Sequence, residues 1–214
     1  MQEFKVIGLM SGSSLDGVDL CYAEIEKENG KWNVKSCLGQ TIPYSVEWKN
    51  LLVNASLENG LNFYKTHINY GHYLAQLVNE FIKKNHFEVD LISSHGHTIF
   101  HQPEWKLSCQ IGDGAAIYAG TGIKTVSNLR SVDIALGGQG APLVPVGERD
   151  LFDNYGMFLN LGGIANISLF DHQNGISAFD ISPCNMPLNM LCEKHYNLPY
   201  DASGKIAFGL SNLI

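Results

Sequence analysis

The chain has 214 residues, of which 45% are hydrophobic and 16% charged, and its net charge is −7. That length suits one large domain or one domain with part of another, and an acidic chain without a basic block excludes a nucleic-acid surface. The five cysteines are odd in number and form no C-x-x-C pair, and no leader or membrane span is evident in the sequence. We therefore expect a cytoplasmic protein with free thiols and no nucleic-acid or membrane partner.

The first motif is an apolar run that breaks at a turn rich in glycine and hydroxyl groups, over residues 8–19, before a second apolar run. Such a pattern predicts a β-hairpin. Three glycines in this segment would allow positive φ and a close approach of the backbone to a ligand: Gly8, Gly12 and Gly17. Successive N–H groups in such a turn form an anion-binding nest. The carboxylates of Asp16 and Asp19 would repel an anion unless a cation such as Mg²⁺ lay between them and it. The turn predicts a metal-nucleotide phosphate site, with a plain hairpin turn as the alternative.

The next elements predict a sheet with a covering helix. A third strand is expected over 31–42, and Ser45 begins a helix as its N-cap. Over 62–85, apolar residues repeat at steps of three and four, as in an amphipathic helix. A short buried strand over 89–93 follows, and this β-α-β order predicts that it lies parallel to an earlier strand.

Three histidines follow that strand in the segment 94–101, with the spacing H-x-H-x-x-x-H. Ligands of open α/β sheets bind beyond the carboxyl ends of strands, so this segment is a candidate pocket rim. Histidines at this spacing could be zinc ligands. Because no cysteine or carboxylate cluster accompanies the histidines, ordinary histidine side chains are the favoured interpretation.

The segment 127–142 has the composition of an active-site loop, since it carries Arg130, Asp133 and Gln139 around paired glycines. Glycines allow close backbone approach, arginine binds anions or hydroxyl groups, and aspartate can accept a proton. The alternative is a connecting loop with an Arg–Asp surface pair. A helix is predicted next, over 141–152.

A second hairpin over 157–170 repeats the opening design, with its turn at Gly162 and Gly163. Two such hairpins about 150 residues apart predict a duplicated fold with a phosphate loop on each half and a nucleotide between them. A strand over 175–179 then ends at Asp180. This carboxylate could hold a substrate hydroxyl or a metal, or cap the helix that follows.

Five motifs occur in the order of a known family: VIGLMSGSSLDGVDL, SHGHTIFHQP, LRSVDIALGGQGAPLVP, LNLGGIANISLF and FDISPCN. Together they resemble the anhydro-N-acetylmuramic acid kinases of the sugar kinase/actin-like ATPase superfamily. The resemblance implies an α/β, duplicated ribonuclease-H-like fold with a mixed sheet flanked by helices and a cleft. It places an N-terminal domain at 1–152 and the first part of a second, incomplete domain at 153–214. The family's adenosine-binding motif has no counterpart here, so a C-terminally truncated chain is expected.

The resemblance also implies an activity. An ATP- and Mg²⁺-dependent kinase would hydrolytically open 1,6-anhydro-N-acetylmuramic acid and phosphorylate its 6-hydroxyl in peptidoglycan recycling, as a homodimer. Asp133 would be the base that deprotonates the attacking water. The ATP phosphates would be bound by Gly12, Ser13, Ser14, Leu15, Asp16, Gly17, Val18, Asp19, Gly162 and Gly163. Asp16 would bind Mg²⁺, directly or through water, and the sugar would be bound by His97, Arg130, Gln139 and Asp180.

The sequence departs from the family pattern at three places. Ser13 replaces a threonine and keeps the hydroxyl, whereas His97 replaces a glutamine and alters the group offered to a sugar. The run 182–184 replaces a glycine-proline-glycine turn. A non-catalytic sugar- or nucleotide-binding relative, or an inactive fragment of such a kinase, is therefore the alternative function.

Overall fold

A computed structural model describes residues 2–12, 14–171 and 175–210, and these group into two units, Met1–Leu143 and Val144–Ile214. The domain boundary expected at 152/153 stays a prediction. No helix in the described ranges is both long enough and apolar enough to cross a membrane.

The first unit contains a six-stranded mixed sheet with strand order β3-β2-β1-β4-β5, and β6 also pairs with β4. Its strands are β1 (Gln2–Ser11), β2 (Gly17–Glu28), β3 (Lys31–Pro43), β4 (Leu91–Gln102), β5 (Leu107–Ile111) and β6 (Thr125–Ser127). Its α-helices are α1 (Val46–Asn54), α2 (Gly60–Asn85), α3 (Gly114–Thr121) and α4 (Ser131–Ala135). Strands β1 to β3 form an antiparallel meander, and β4 lies parallel to β1, as the sequence predicts.

The core of the first unit lies between this sheet and α2. The apolar positions of β1 and β2 alternate, so one face of the meander is buried, including Ile7 and Leu20. Helix α2 contributes its apolar stripe to the same cluster, including Leu74 and Val78. Each such fully buried side chain stabilises the fold by roughly 2 kcal/mol. The core therefore fixes β1 and β4 side by side, which positions their ends.

Strand β4 is longer than predicted and changes partners along its length. Its residues Ile92–Ser94 pair in parallel with β6, and from His97 onward it pairs antiparallel with β5. Between these parts Gly96 has φ +74°, and a Cβ there would lie 2.4 Å from the Ile111 carbonyl oxygen. The expectation of a strand that stops at residue 93 is wrong, because the β5 pairing extends it. The histidine segment lies within the strand, where the parallel pairing with β1 and β6 gives way to the antiparallel pairing with β5.

The second unit repeats a three-stranded antiparallel meander followed by a helix. Its elements are α5 (Val144–Leu151), β7 (Met157–Leu161), β8 (Ile164–Asp171), β9 (Gly175–Pro183), α6 (Asn185–Tyr196) and α7 (Lys205–Leu210). Helix α5 begins three residues after the predicted start at 141. The structure confirms the predicted α/β class, in which a mixed sheet is flanked by helices and its opening meander recurs.

Strand β9 also runs further than predicted. The pairs Ile164↔Pro183 and Ala165↔Ser182 continue its ladder, so Asp180 lies inside the strand rather than at its end. Helix α6 has Cys184 as its N-cap residue, without a side-chain cap hydrogen bond. Asp180 is therefore not the cap of this helix.

Candidate functional site

The turn between β1 and β2 presents a carboxylate and a hydroxyl to solvent. The Ser14 hydroxyl donates to Asp16 Oδ1 at 2.8 Å, and the Gly17 N–H donates to the same oxygen at 3.0 Å. Both Ser14 and Asp16 are exposed, and within the described part of the chain Asp16 Oδ2 has no hydrogen-bond partner. A carboxylate with one oxygen fixed and the other available suits Mg²⁺, bound directly or through water.

Positive φ occurs in this turn at a residue other than the expected glycines. Gly8, Gly12 and Gly17 all lie outside the left-handed region, whereas Leu15 has φ +56°. Gly17 is required for another reason, since a Cβ there would lie 2.3 Å from the Ile42 carbonyl oxygen. The expectation of positive-φ glycines is wrong, because at Gly17 it is the close pairing of β2 with β3 that demands glycine.

The remaining residues predicted to bind phosphate differ in accessibility. Val18 is fully buried in the core, so a ligand could reach only its backbone. Asp19 is exposed and accepts a hydrogen bond from Thr41 Oγ1 at 2.5 Å. Gly12 is half-buried, and Ser13 lies outside the described residues.

A chain of buried hydroxyl groups runs from helix α2 to the histidine segment of β4. Tyr70 and Tyr44 are joined through their hydroxyls at 2.5 Å, Tyr44 and Ser11 at 2.5 Å, and Ser11 Oγ and His97 Nδ1 at 2.8 Å. If each O–H donates toward His97, each of these three hydroxyl hydrogens has an acceptor. Burial raises the pKa of Tyr44 and of Tyr70, so both remain protonated donors. The network ties the end of β1, next to the opening turn, to β4.

His97, predicted as a sugar ligand, is a member of this network. Only 5% of its surface is exposed, and the β1–β4 register places it opposite Ser11 after a bulge in β4. Burial, with a smaller contribution from the neighbouring His95, lowers the pKa of His97 to about 4. The imidazole is therefore neutral at physiological pH and fixed by Ser11.

The Asp133 carboxylate is held by the glycine loop that follows it. Asp133 belongs to the short helix α4, and its Oδ2 accepts a hydrogen bond from the Gly140 N–H at 2.6 Å. A Cβ at Gly138 would lie 2.2 Å from the same oxygen, so any other residue there would displace the carboxylate from this position. Gly137 and Gly140 have φ +94° and +64°, conformations that favour glycine. Gly137 and Gly140 are therefore favoured by their backbone conformation, and Gly138 by its contact with Asp133.

Arg130 contacts the same loop from the other side. Its Nε donates to His95 Nε2 at 2.9 Å, and its Nη1 donates to the Gly140 carbonyl at 2.5 Å. Gly140 thus has its N–H bound by Asp133 and its carbonyl bound by Arg130. Although both are described, Arg130 and Asp133 form no ion pair with each other, so the surface-pair alternative does not describe this loop.

The other predicted site residues are Gln139, in the glycine loop, and Asp180, Gly162 and Gly163, in the second unit. Gln139 and Asp180 are both exposed. The carbonyls of Gly162 and Gly163 accept hydrogen bonds from the backbone N–H groups of Asn185 and Cys184, at 3.0 and 2.9 Å. Their roles toward a ligand stay predictions.

The histidine segment forms no metal cluster. Over the described ranges, no group of three or more His, Cys, Asp or Glu side chains could hold a metal ion. Instead His95 contacts Arg130, His97 contacts Ser11, and His101 Nδ1 lies 3.1 Å from Ser108 Oγ. Whether these histidines bind a metal stays a prediction.

Sequence reasoning missed Ser11, Tyr44, Tyr70 and His95 as parts of the site. The two tyrosines carry no local signal, because the hydroxyl contacts of Tyr44 join residues 26 and 33 positions apart. His95 and Ser11 lie within motifs of the histidine segment and the opening turn. Their partners become visible only through the strand register.

Comparison with known proteins identifies relatives over nearly the whole chain. A family model described as anhydro-N-acetylmuramic acid kinase matches residues 4–209. Curated relatives of that name from Bacillus thuringiensis subsp. konkukian (strain 97-27) and Bacillus cereus (strain AH187) are each 37% identical over 220 residues, which cover 94% of this chain. The chain spans 57% of the length of these relatives.

Solved structures show weaker likeness. A Ppx/GppA family member from Aquifex aeolicus has a TM-score of 0.40 at 10% identity, covering 88% of this chain and 54% of its own. The ethanolamine utilization protein EutJ from Carboxydothermus hydrogenoformans has a TM-score of 0.38 at 12% identity, covering 94% of this chain and 59% of its own.

Proposed function

The chain belongs to the anhydro-N-acetylmuramic acid kinase family, and from this membership we propose that it acts in an ATP-dependent kinase that opens 1,6-anhydro-N-acetylmuramic acid and phosphorylates its 6-hydroxyl. The proposed setting is peptidoglycan recycling in the cytoplasm. The five cysteines are all free, which suits a reducing compartment. The proposed assembly is a homodimer.

The observation that carries this proposal is the fixed geometry of Asp133. A general base must present a carboxylate oxygen in a defined direction while remaining reachable by the substrate. Asp133 is exposed, and its Oδ2 is fixed by the Gly140 N–H. The proposed role of this carboxylate is to take a proton from the water that adds to the anomeric carbon of the sugar.

The opening of the sugar follows from that proton transfer. As the water oxygen bonds to the anomeric carbon, the bond from that carbon to the bridging 6-oxygen breaks. The freed 6-oxygen is the group to be phosphorylated. Arg130 binds the Gly140 carbonyl and so keeps the loop under Asp133 in place. Sugar contacts of Arg130, Gln139, His97 and Asp180 remain part of the proposal.

The opening turn fits the phosphate end of a magnesium nucleotide. Asp16 would hold Mg²⁺ through the oxygen that has no partner among the described residues, and Ser14 fixes the other oxygen. MgATP, when bound, supplies the phosphoryl group. In such transfers the protein contributes positioning and charge neutralisation, which an exposed turn with a fixed carboxylate can provide.

The test is the Asp133→Asn variant, with ATP-dependent phosphorylation of the anhydro sugar as the readout. We expect turnover to fall by about 10²- to 10⁴-fold, because the amide cannot accept the proton. The matched control is Asp90→Asn, since Asp90 at the other end of β4 accepts the Lys5 N–H. Retained turnover in Asp133→Asn would overturn the base assignment. Calorimetry on the parent protein tests the non-catalytic alternative, which predicts sugar binding without ATP binding.

A further inference from the structure

The histidine that precedes the bulge glycine of β4 contacts the Asp133 loop through Arg130. His95 is 7% exposed, and its Nε2 accepts the Arg130 Nε–H at 2.9 Å. Arg130 donates in turn to the Gly140 carbonyl, and the Gly140 N–H donates to Asp133. Four residues from β4, α4 and the glycine loop thus form one continuous path that ends at the proposed base.

The contacts of His95 define its protonation state. Its Nδ1 lies 2.9 Å from the Gly96 carbonyl oxygen, which can only accept, so Nδ1 carries the hydrogen. The Arg130 Nε–H can only donate, so Nε2 must offer a lone pair. Both contacts are therefore satisfied by the neutral imidazole with hydrogen on Nδ1, and by no other form of the ring.

Arg130 needs this acceptor to reach Gly140 in a defined orientation. The guanidinium is planar and its donors have a fixed relative geometry, so binding of Nε by His95 sets the direction of Nη1. Nη1 is the atom that binds the Gly140 carbonyl. Without the acceptor at His95, the half-buried guanidinium would lose a hydrogen bond and the loop would lose one of its two attachments at Gly140.

We infer that His95 is a positioning residue, whose Nε2 lone pair orients Arg130 so that Gly140 holds the Asp133 carboxylate in one place. This inference rests on the proposed function insofar as Asp133 is the base. The hydrogen bond from the Gly140 N–H to Asp133 is separate from the activity, and amide exchange measures it directly. His95 itself touches no reacting atom in this arrangement.

Two substitutions separate the acceptor from the rest of the side chain. In His95→Gln the side-chain carbonyl replaces the acceptor at Nε2, whereas in His95→Asn the shorter amide replaces only the Nδ1 donor. Hydrogen exchange of the Gly140 amide, followed by NMR, reports the Asp133 contact. We expect exchange about tenfold faster in His95→Asn and near the parent rate in His95→Gln. The control is His101→Leu on the same strand, which should leave this exchange unchanged because His101 contacts Ser108.

Activity of the same variants gives the second readout. A misplaced base lowers kcat with little change in KM, so we expect kcat to fall about tenfold in His95→Asn and to be restored in His95→Gln. A residue needed only to fill space would not discriminate between the two amides in this way. Exchange at Gly140 that is unchanged in His95→Asn would overturn the inference.

The two proposals fail separately. If the parent protein shows no phosphorylation, the proposed function fails, and the exchange data alone still decide the role of His95. If His95→Asn does not fold, Arg130→Lys replaces it, since a lysine cannot bind His95 and Gly140 with one planar group. Faster Gly140 exchange in Arg130→Lys supports the path. Unchanged exchange in Arg130→Lys overturns it.

Discussion

The turn between β1 and β2 and the turn between β7 and β8 join similar strands, yet they use their polar atoms differently. In both units the residue after the meander donates its N–H to a carbonyl of the turn, Tyr44 to Asp16 at 3.3 Å and Cys184 to Gly163 at 2.9 Å. In the first unit the turn also presents Ser14 and Asp16 to solvent. In the second unit the turn carbonyls are bound to the first backbone N–H groups of α6.

Burial separates the two meanders as well. In the first unit Ile7 is fully buried, because α2 covers that face of the sheet. In the second unit Leu159 and Phe179 are 56% and 55% exposed, and Cys192 is the buried residue of α6. A glycine turn between apolar strands thus specifies a hairpin, whereas the elements packed around it determine which groups can meet a ligand.

The largest difference in stability between the two turns is expected when one glycine of each turn is replaced by alanine. In Gly17→Ala the new Cβ would meet the Ile42 backbone carbonyl, which no rotamer change can relieve, so we expect a loss of about 3 kcal/mol or more. In Gly163→Ala the nearest atom is the flexible end of Met186 at 3.9 Å, and stability should change little. Urea denaturation measures both. Equal losses would show that the two turns are constrained alike.

A smaller loss is expected when the buried hydroxyl network is opened beneath the first turn. Ser11→Ala leaves Tyr44 and His97 without their buried partner, which should cost about 2 kcal/mol of unfolding free energy. The control is Ser14→Ala in the same turn, because the Ser14 hydroxyl is exposed and should contribute less than about 0.5 kcal/mol. A Ser11→Ala chain as stable as the Ser14→Ala chain would argue against a network that stiffens this turn.

The last effect is conditional on pH and applies to the first unit alone. His97 has a lower pKa in the folded chain than its ordinary value of 6.5, so the folded state binds fewer protons than the unfolded state. The neutral His97 ring costs no stability above pH 6.5. The free energy of unfolding decreases as the pH falls toward 4, where we expect a loss of about 3 kcal/mol. Denaturant titrations at several pH values measure this slope. In His97→Gln the slope over this window should decrease, since the amide can bond Ser11 without titrating, and an unchanged slope would assign it to other groups.

Much of the first unit could be predicted from local patterns, because alternation and helical periodicity directly reflect burial. The stripe of α2 and the meander β1 to β3 are examples. The extension of β4 could not, since it depends on pairing with β5, which follows it in the chain. The composition of the glycine loop was enough to predict a candidate site there. Its geometry was not, because α4 is only five residues long and Arg130 meets His95 across 35 positions of sequence.

The bulge at Gly96 limits how the histidine segment can change in length. Strand β4 has one extra residue between the pairs Leu9↔Ser94 and Ser11↔His97. Because side chains alternate between the faces of a strand, removal of that residue would change the orientation of His95 relative to His97. Replacement of His97 by another hydrogen-bonding side chain preserves the spacing, whereas a deletion would disconnect the opening turn from the Asp133 loop. The segment should therefore accept substitutions far more readily than insertions or deletions.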